Sequence, residues 1–299
     1  MIPKKRVLPV LAVLVALAVV VAMISLRVNS PIAKKPLIVA GVSQWGALAR
    51  QSVGRDATVV SLLTDPNADP HSHEATTSDA AYVAQATVVV ENGAGYDSWF
   101  TRLVQARPTV PVIINVADLM HVKNGQNPHL FYNVFAAETF VRALRSSMLR
   151  QGDFANVERT TTELLAQLAR TEAVVTSIRG SCAGVRVAAT EDVTGYLLAG
   201  MSLRVVTPAA LRLAVGNSVD PSVSDLALAL QQLTEHPAFL VNNVQTATPL
   251  TNEMVAQATR YHVPVIDVTE TLTGTNYVTW INAVIAKMRA ALHQQGCIK

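Results

Sequence analysis

The chain has 299 residues, 50% of them hydrophobic, and a formal net charge of +3 at pH 7. This length and apolar content suffice for two packed lobes and exclude a disordered chain. The first 30 residues hold four of the 24 basic residues and no acidic one, so the rest of the chain has 20 basic residues against 21 acidic. A near-neutral body without a Lys/Arg cluster lacks the electrostatic footprint of a nucleic-acid-binding protein.

The N-terminal segment is the most unusual stretch of the sequence. The basic residues 4–6 precede an apolar run from Val7 to Ile24 that only Pro9 interrupts. An apolar run of about 18 residues sits at the lower limit for spanning a bilayer, and the basic residues before it predict a cytoplasmic N-terminus. We interpret residues 1–30 as an export signal or a membrane anchor, with retention and cleavage equally open. Either interpretation places the rest of the chain outside the cytoplasm.

The only two cysteines are Cys182 and Cys297. Export to an oxidising compartment permits a disulfide between them. Closing a loop of more than about 100 residues would stabilise the fold by about 4 to 5 kcal/mol in the chain-entropy model. Two unpaired thiols are the alternative. Neither cysteine lies near the apolar run, so a lipid-modified cysteine is not the anchor.

From Leu37 onward, apolar runs alternate with amphipathic stretches, which predicts α/β architecture with mostly parallel sheets flanked by helices. In the first half the predicted strands are Leu37 to Ala40, Ala57 to Leu63, Thr87 to Val90 and Val112 to Val116, and the predicted helices are Trp45 to Val53, Ser78 to Gln85 and Tyr96 to Gln105. In the second half the predicted strands are Val185 to Ala189, Arg204 to Val206, Phe239 to Val241 and Val263 to Asp267, and the predicted helices are Val193 to Ala199, Ser222 to Thr234, Leu250 to Tyr261 and Tyr277 to Leu292.

Between the two halves, apolar residues recur at helical spacing from Asp153 to Ile178 without Gly or Pro. This spacing predicts one long helix that joins the lobes and limits hinge motion. We therefore expect an N-terminal lobe at residues 31–152, a linking helix at 153–179 and a C-terminal lobe at 180–299.

Polar side chains capable of binding a metal follow four of the predicted strands. His71 and His129 each follow a proline in a loop of the first half, and Glu191 and Glu270 follow strands of the second half. In open α/β sheets, ligands bind beyond the carboxyl ends of the strands, so a cleft between the lobes could gather all four. Each residue alone is more often a surface or capping residue. Together, two imidazoles and two carboxylates match the preferences of zinc or manganese.

Several motifs, taken in order, resemble those of the substrate-binding proteins of zinc and manganese ABC transporters, the metal-binding solute-binding proteins of cluster A-I. They are DPNADPHSHE at 65–74 with TSD at 77–79, NGAGYDSW at 92–99, NPHLFY at 127–132, ATE at 189–191 with GY at 195–196, and Gln245 with PLT at 249–251. The resemblance extends from about Leu37 to Leu292. It implies two α/β lobes joined by one long helix, a metal buried between them, and delivery of that metal to an ABC transporter permease.

The resemblance also implies a ligand set. His71 and His129 correspond to the two N-lobe ligands and Glu191 to the first C-lobe ligand. Glu270 is assigned as the fourth, although the family commonly has an aspartate there and the alignment needs a small gap. Further departures are His73 in place of an aromatic residue, Ala75 in place of a proline and Asn133 in place of an aspartate. Because alternate side chains of an extended segment point oppositely, we interpret His73 as supporting the ligands or as solvated.

The metal itself is open between Zn²⁺ and Mn²⁺. In the family, two His with two carboxylates are often found in manganese-specific members, whereas zinc-specific members often have a third His. The Irving–Williams order nevertheless favours zinc over manganese at almost any such site.

Three alternatives compete with metal capture. The segment GAGYDS at 93–98 follows a strand, with Asp118 about twenty residues on, as a dinucleotide site would require, but the third glycine is absent and the strand is the third. The second alternative is a metal-dependent hydrolase, which needs an open coordination position for water. Four protein ligands leave little room for such a position. The sequence also contains neither a Gly-x-Ser-x-Gly nor a His-Glu-x-x-His motif. An adhesin of the same family is the third. We expect a binding protein and not an enzyme.

Overall fold

The computed structural model describes residues 35–65, 73–109, 111–272 and 274–298. The first half forms a four-stranded parallel sheet in the order β2-β1-β3-β4. Its strands are β1 (Leu37–Val42), β2 (Thr58–Leu63), β3 (Val88–Glu91) and β4 (Val112–Asn115), and its helices are α1 (Ser43–Val53), α2 (Thr77–Gln85), α3 (Ser98–Gln105), α4 (Val116–Leu119) and α5 (Val134–Gln151).

The second half repeats this arrangement with a parallel sheet in the order β6-β5-β7-β8. Its strands are β5 (Arg186–Ala189), β6 (Arg204–Val205), β7 (Leu240–Asn243) and β8 (Val265–Val268), and its helices are α7 (Gly195–Gly200), α8 (Ala209–Gly216), α9 (Val223–Thr234), α10 (Pro249–Arg260) and α11 (Tyr277–Gln294). The predicted fold class, two lobes with mostly parallel sheets flanked by helices, is confirmed.

Apolar β-branched residues explain why the central strand β1 is buried. In β1, Ile38 and Val39 are completely buried, and the strand pairs with β2 on one side and β3 on the other. The strand order reverses beside β1 and again beside β5. In such sheets the crevice at the carboxyl ends of the strands, where the order reverses, is where ligands bind. The topology therefore predicts that a ligand binds among the loops that follow β3, β4, β5, β7 and β8.

A single long helix, α6 (Ala155–Cys182), connects the two halves, as the sequence predicts. No side chain of its own caps its N-terminus. Instead, the carboxylate of Asp56 accepts hydrogen bonds from the backbone N–H groups of Asn156 and Val157, at 2.9 and 3.0 Å. An acidic group at this end of a helix also interacts favourably with the helix dipole. The start of α6 is thus attached to the N-terminal lobe.

One buried core extends through both lobes. It runs from the first sheet through α6 to β5, β7 and α11, and a smaller second cluster fills the outer face of the second sheet. Cys182 at the end of α6 forms a disulfide with Cys297, 115 residues further along the chain. The open question about the cysteines is therefore answered in favour of the disulfide, which joins the linking helix to the segment after α11.

The structure adds three helices that the sequence patterns do not predict, the short α4 and the longer α5 and α8. The predicted signal or anchor at residues 1–30 lies outside the described residues. Within the residues that are described, no helix is both long and apolar enough to cross a membrane.

Candidate metal centre

Three of the four predicted ligands lie together between the two sheets. His129 follows β4, Glu191 follows β5 and Glu270 follows β8, and their exposed fractions are 5%, 1% and 3%. The Nε2 atom of His129 lies 3.4 Å from Oε2 of Glu270. The fourth predicted ligand, His71, lies outside the described residues.

The loop before His129 fixes the tautomer of its ring. Nδ1 of His129 lies 2.8 Å from Oδ1 of Asn127, which also accepts the backbone N–H of His129 at 3.0 Å. Because an amide oxygen can only accept, Nδ1 carries the proton and donates it. The lone pair then lies on Nε2, the atom nearest Glu270. A histidine whose other nitrogen donates to a fixed acceptor is oriented for metal binding.

A second set of hydrogen bonds holds this loop against the N-terminal sheet. The buried side chain of Asn92 donates from Nδ2 to the carbonyl of Pro128 at 2.9 Å. Its Oδ1 accepts a hydrogen bond from Nε1 of Trp45, also at 2.9 Å. Since Pro128 directly precedes His129, the position of the imidazole depends on the end of β3.

The two carboxylates are joined by one buried amide. Nδ2 of Asn243, the last residue of β7, donates to Oε1 of Glu191 and, at 2.8 Å, to Oε1 of Glu270. Glu270 also accepts the hydroxyl of Tyr96 on Oε2 at 3.0 Å. The hydrogen bond from Tyr96 crosses from the N-terminal lobe to a carboxylate of the C-terminal lobe.

Burial and mutual repulsion disfavour the charges of these carboxylates. Loss of solvation raises the pKa of Glu191 to about 7, with the neighbouring charge of Glu270 acting in the same direction and His129 opposing both effects. Like charges that share a buried site are destabilised unless a positive charge neutralises them. The arrangement therefore favours a bound cation.

Within the described ranges, no three His, Cys, Asp or Glu side chains stand close enough together to hold a metal ion by themselves. His129 and Glu270 form a close pair, and Glu191 joins them through Asn243.

Hydrogen bonds between the lobes surround the centre. Asn127 donates from Nδ2 to the carbonyl of Asp192 at 2.8 Å, and its own carbonyl accepts the hydroxyl of Tyr196 at 2.7 Å. Tyr132 donates its hydroxyl to the carbonyl of Thr269 at 2.8 Å. The loops that carry the candidate ligands are thus fastened to the opposite lobe, which excludes bulk water from the carboxylates.

A cavity of about 280 Å³ reaches His129 from one side. Residues 125–129 of the N-terminal lobe line one wall, and the other wall is formed by Arg212, Leu213, Gly216 and Asn217 of the C-terminal lobe. The ion pair of Asp192 and Arg212 also contributes to the lining. This cavity offers a route by which a small ion could reach the buried side chains.

The glycine-rich segment after β3 is a tight turn. Gly93, Ala94 and Gly95 all have positive φ, and the carboxylate of Asp97 accepts the backbone N–H groups of Asn92 and Gly93 at 2.7 and 2.9 Å. A dinucleotide site needs such N–H groups for the pyrophosphate. Here they bind a side chain of the same turn, which agrees with the interpretation of the glycines as a turn. Burial raises the pKa of Asp97 to about 6, and these two hydrogen bonds oppose the effect.

His73 packs within the N-terminal lobe. Its ring lies edge-on to Trp99 with centroids 4.4 Å apart, and its Nε2 lies 3.7 Å from Oδ2 of Asp79. Asp79 in turn belongs to the capping box that begins α2 at Thr76. The side chain of His73 is 21% exposed and thus only partly solvated.

Sequence reasoning missed Asn243 and the role of Tyr96. Asn243 ends β7, so the rule that identified Glu191 and Glu270 after their strands would also have identified it. It escaped notice because an amide is a poor metal ligand and its partners are the ligands themselves. Tyr96 appeared only as part of a motif, and nothing local indicates that its hydroxyl reaches Glu270.

Comparison with solved structures shows the same fold. TroA, a periplasmic zinc-binding protein from Treponema pallidum, matches with a TM-score of 0.70 and 17% identity. The match covers 86% of this chain and 99% of TroA. FpvC from Pseudomonas aeruginosa in complex with Mn²⁺ matches with a TM-score of 0.71 and 18% identity over 88% and 100% of the two chains. A Cd-bound periplasmic metal-binding protein from Candidatus Liberibacter asiaticus matches with a TM-score of 0.68 and 16% identity, over 86% of this chain and 100% of that protein.

A relative with a described function matches over a shorter stretch. The iron-binding protein YfeA from Yersinia pestis is 23% identical over 106 residues, which span 33% of this chain and 34% of YfeA. The match to a family model is far more extensive. The model for ZnuA, zinc-uptake complex component A, periplasmic, matches residues 38–291. The chain therefore belongs to this family of periplasmic metal-binding solute-binding proteins, whose members are not enzymes.

Proposed function

We propose that this protein captures a divalent transition metal, zinc or manganese, outside the cytoplasm and delivers it to the permease of an ABC transporter. His71, His129, Glu191 and Glu270 are the proposed ligands. The observation that carries the proposal is the convergence of His129, Glu191 and Glu270 in one buried centre between the lobes. Two imidazoles and two carboxylates would neutralise a divalent ion there.

The electrostatics of the centre support this proposal. A buried carboxylate that shares its site with a second one gains from a cation more than an exposed carboxylate does, since the cation removes the repulsion and replaces the lost hydration. The oriented ring of His129 supplies a neutral nitrogen beside them. The family membership, and the metals named for its structural relatives, agree with a metal as the cargo.

The site of action follows from the same family. A periplasmic or otherwise extracytoplasmic location fits the basic and apolar residues 1–30, which we propose as a signal or a retained anchor. A retained anchor would keep the binder near its permease and raise its local concentration there.

Isothermal titration of the purified protein with zinc and with manganese tests the proposal. We expect wild type to bind at least one of them and His129→Ala to lose about 10- to 100-fold or more in affinity. His293→Ala, at an exposed position of α11, is the matched control and keeps wild-type affinity. Affinity falls on acidification because the imidazoles must be deprotonated to bind. Equal, weak binding by wild type and His129→Ala would refute the assignment.

A further inference from the structure

The cavity that reaches His129 contains one carboxylate, Asp192, and one guanidinium, Arg212, among the described residues that line it. Nη1 of Arg212 forms an ion pair with Oδ1 of Asp192. The side chain of Asp192 is 39% exposed, whereas that of Arg212 is 14% exposed. The carboxylate is therefore accessible to an ion that arrives from solvent, and the guanidinium lies deeper beside it.

Both members of this pair are held beside the segments that carry proposed ligands. The backbone carbonyl of Asp192 accepts a hydrogen bond from Nδ2 of Asn127 at 2.8 Å. Nε of Arg212 donates to a backbone carbonyl just before α8, at 3.2 Å. Asp192 directly follows Glu191, and Asn127 lies two residues before His129. The pair thus has a fixed place at the boundary between the lobes, next to the metal centre.

The wall formed by α8 brings the cavity close to Glu191 as well. Gly216 lines the cavity, and a Cβ placed at this glycine would lie 3.5 Å from Oε2 of Glu191. The missing side chain at position 216 keeps the distance between the cavity and this carboxylate short. The cavity therefore approaches one proposed ligand of each lobe, and the metal centre lies at its inner end.

The volume of the cavity, about 280 Å³, is large enough for a hydrated divalent ion. An ion with six waters needs roughly 180 Å³ for them, since each water takes about 30 Å³ of liquid volume. The ion can thus enter with its hydration shell. At that stage the charges of the wall act on the ion through space, before any side chain replaces a water.

The ion pair balances attraction against retention. An unpaired carboxylate in the wall would attract the ion and also hold it there, whereas an unpaired guanidinium would repel it. Passage of an ion requires binding that is favourable enough for entry and weak enough for release. A carboxylate whose charge is largely cancelled by a neighbouring guanidinium meets both requirements.

We infer that Asp192 and Arg212 form an entry site for the hydrated metal ion, at which Asp192 attracts the ion and Arg212 shortens its stay. The inference rests on the proposed function. Asp192 meets the ion through the water bound to it, and neither residue is a ligand of the stored ion. From this site the ion moves inward to His129 and Glu191.

The test measures how fast zinc and manganese associate with the full-length protein, by stopped-flow competition with a metal-sensitive dye at about 0.1 M salt. Asp192→Asn leaves the positive charge of Arg212 uncompensated, so we expect association to slow by about three- to tenfold. Arg212→Gln leaves the carboxylate uncompensated, and association should become faster by a similar factor. Both effects should shrink at about 1 M salt, because salt screens the charges of the wall.

Two controls separate charge from structure. The double variant with Asp192→Asn and Arg212→Gln restores a neutral entrance and should return to about the wild-type rate. Arg186→Gln and Glu235→Gln make the same charge changes in an exposed ion pair of the same lobe. Arg186 begins β5, whereas Asp192 follows its other end. These two variants should leave the association rate unchanged.

The direction of the change decides the outcome. If Asp192→Asn and Arg212→Gln shift the association rate in the same direction, or leave it unchanged, the pair serves only the structure of the loop and the inference is overturned. Wild-type protein that binds neither metal would instead refute the proposed function, whatever the variants do.

A surface position in the same cavity covers the case in which Arg212→Gln does not fold. Leu213 lines the cavity and is 61% exposed, so substitutions there should have little effect on stability. Leu213→Glu should speed association and Leu213→Lys should slow it, as Asp192→Asn does. Equal rates for these two Leu213 variants would show that the ion does not enter through this cavity.

Discussion

Glu191 is the residue at which binding and stability conflict. It is 1% exposed, and burial together with the charge of Glu270 raises its pKa to about 7. In the unfolded chain its pKa returns to the ordinary value of 4.5. The folded, metal-free protein therefore binds this proton more tightly than the unfolded chain does between about pH 4.5 and pH 7. The associated stability is fully present below pH 4.5 and is lost as the pH rises through 7.

We expect Glu191→Gln to stabilise the metal-free protein. At pH 8 the gain in the free energy of unfolding should be at most about 3 kcal/mol, since the variant has no charge to bury, and it should vanish toward pH 4. Urea denaturation at several pH values in the presence of a chelator measures it. Glu253→Gln, at an exposed position of α10, should show no such gain. A variant less stable than wild type at pH 8 would refute this interpretation of the charge.

At the residue scale, the position of a side chain after a strand was the useful signal. It identified His129, Glu191 and Glu270, which the structure brings together, as well as His71, which stays a prediction. It could not identify the hydroxyl of Tyr96 as a partner of Glu270, because that contact joins residues 174 positions apart in the chain. Contacts of this kind depend on how the lobes pack and leave no local pattern.

Among the elements, the turn between β3 and α3 has the strictest requirements. A Cβ at Gly93, where φ is +77°, would lie 2.2 Å from Oδ1 of Asn115 and 2.8 Å from Cβ of Ala117. Gly95 has a similar φ of +84°, but the nearest atom to a Cβ there is 4.0 Å away. The two glycines therefore separate the cost of backbone conformation from the cost of a collision.

We expect Gly93→Ala to lower the free energy of unfolding by about 2 to 4 kcal/mol, the sum of the left-handed backbone and overpacking. Gly95→Ala should cost only about 1 to 2 kcal/mol, because the backbone penalty alone applies. Thermal or urea denaturation of the two variants measures the difference. Equal costs would show that the contact between the turn and Asn115 is not tight.

At the element scale, the strands and most helices followed from the alternation of apolar runs with amphipathic stretches. Errors concentrated at helix starts. The third helix was predicted to begin at Tyr96 and begins at Ser98, because the turn closed by Asp97 occupies the preceding residues. The helix α8 has only eight residues and no side-chain cap, so its sequence carries little signal that predicts a helix. The helix α5 does have a side-chain cap, Asn133, which accepts the backbone N–H groups of Phe135 and Ala136, but the apolar pattern of its sequence does not by itself predict the helix.

For the whole molecule, two connections between distant parts of the chain restrict motion. The linking helix α6 is bound at its start by Asp56 of the N-terminal lobe and at its end by the disulfide with Cys297. The hydroxyl of Tyr277 in α11 donates to the carbonyl of Phe131 at 2.7 Å, and its backbone N–H donates to Gln51 at 2.9 Å. Because both ends of this helix are attached, we propose that the metal-free and metal-loaded forms differ only modestly.

Removing the disulfide should destabilise the whole fold. We expect a Cys182→Ala, Cys297→Ala double variant to lose about 2 to 5 kcal/mol in the free energy of unfolding. A reductant should lower the stability of wild type toward that of the variant and leave the variant unaffected, which separates the crosslink from the packing of the sulfur atoms. If the reductant is shown to free both thiols of wild type and the free energy of unfolding still does not change, the expected contribution of the disulfide is contradicted.

The arrangement in two lobes was predictable from the sequence because the same alternation of strands and helices occurs on each side of one uninterrupted helical segment. How closely the two lobes pack against each other was not predictable from the sequence. It depends on hydrogen bonds such as that from the backbone N–H of Leu272 to Oγ of Ser43, 229 residues away, at 3.0 Å. These contacts become visible only once both sheets are placed.

The most direct test of metal capture is the metal content of protein purified without chelators, measured by inductively coupled plasma mass spectrometry. We predict about one equivalent of zinc or manganese per wild-type chain, as expected for a closed site. A variant with His71→Ala, His129→Ala and Glu191→Gln together should carry almost none, although circular dichroism shows it folded. Wild type without either metal, or a folded variant that retains as much metal as wild type, would contradict the proposed centre.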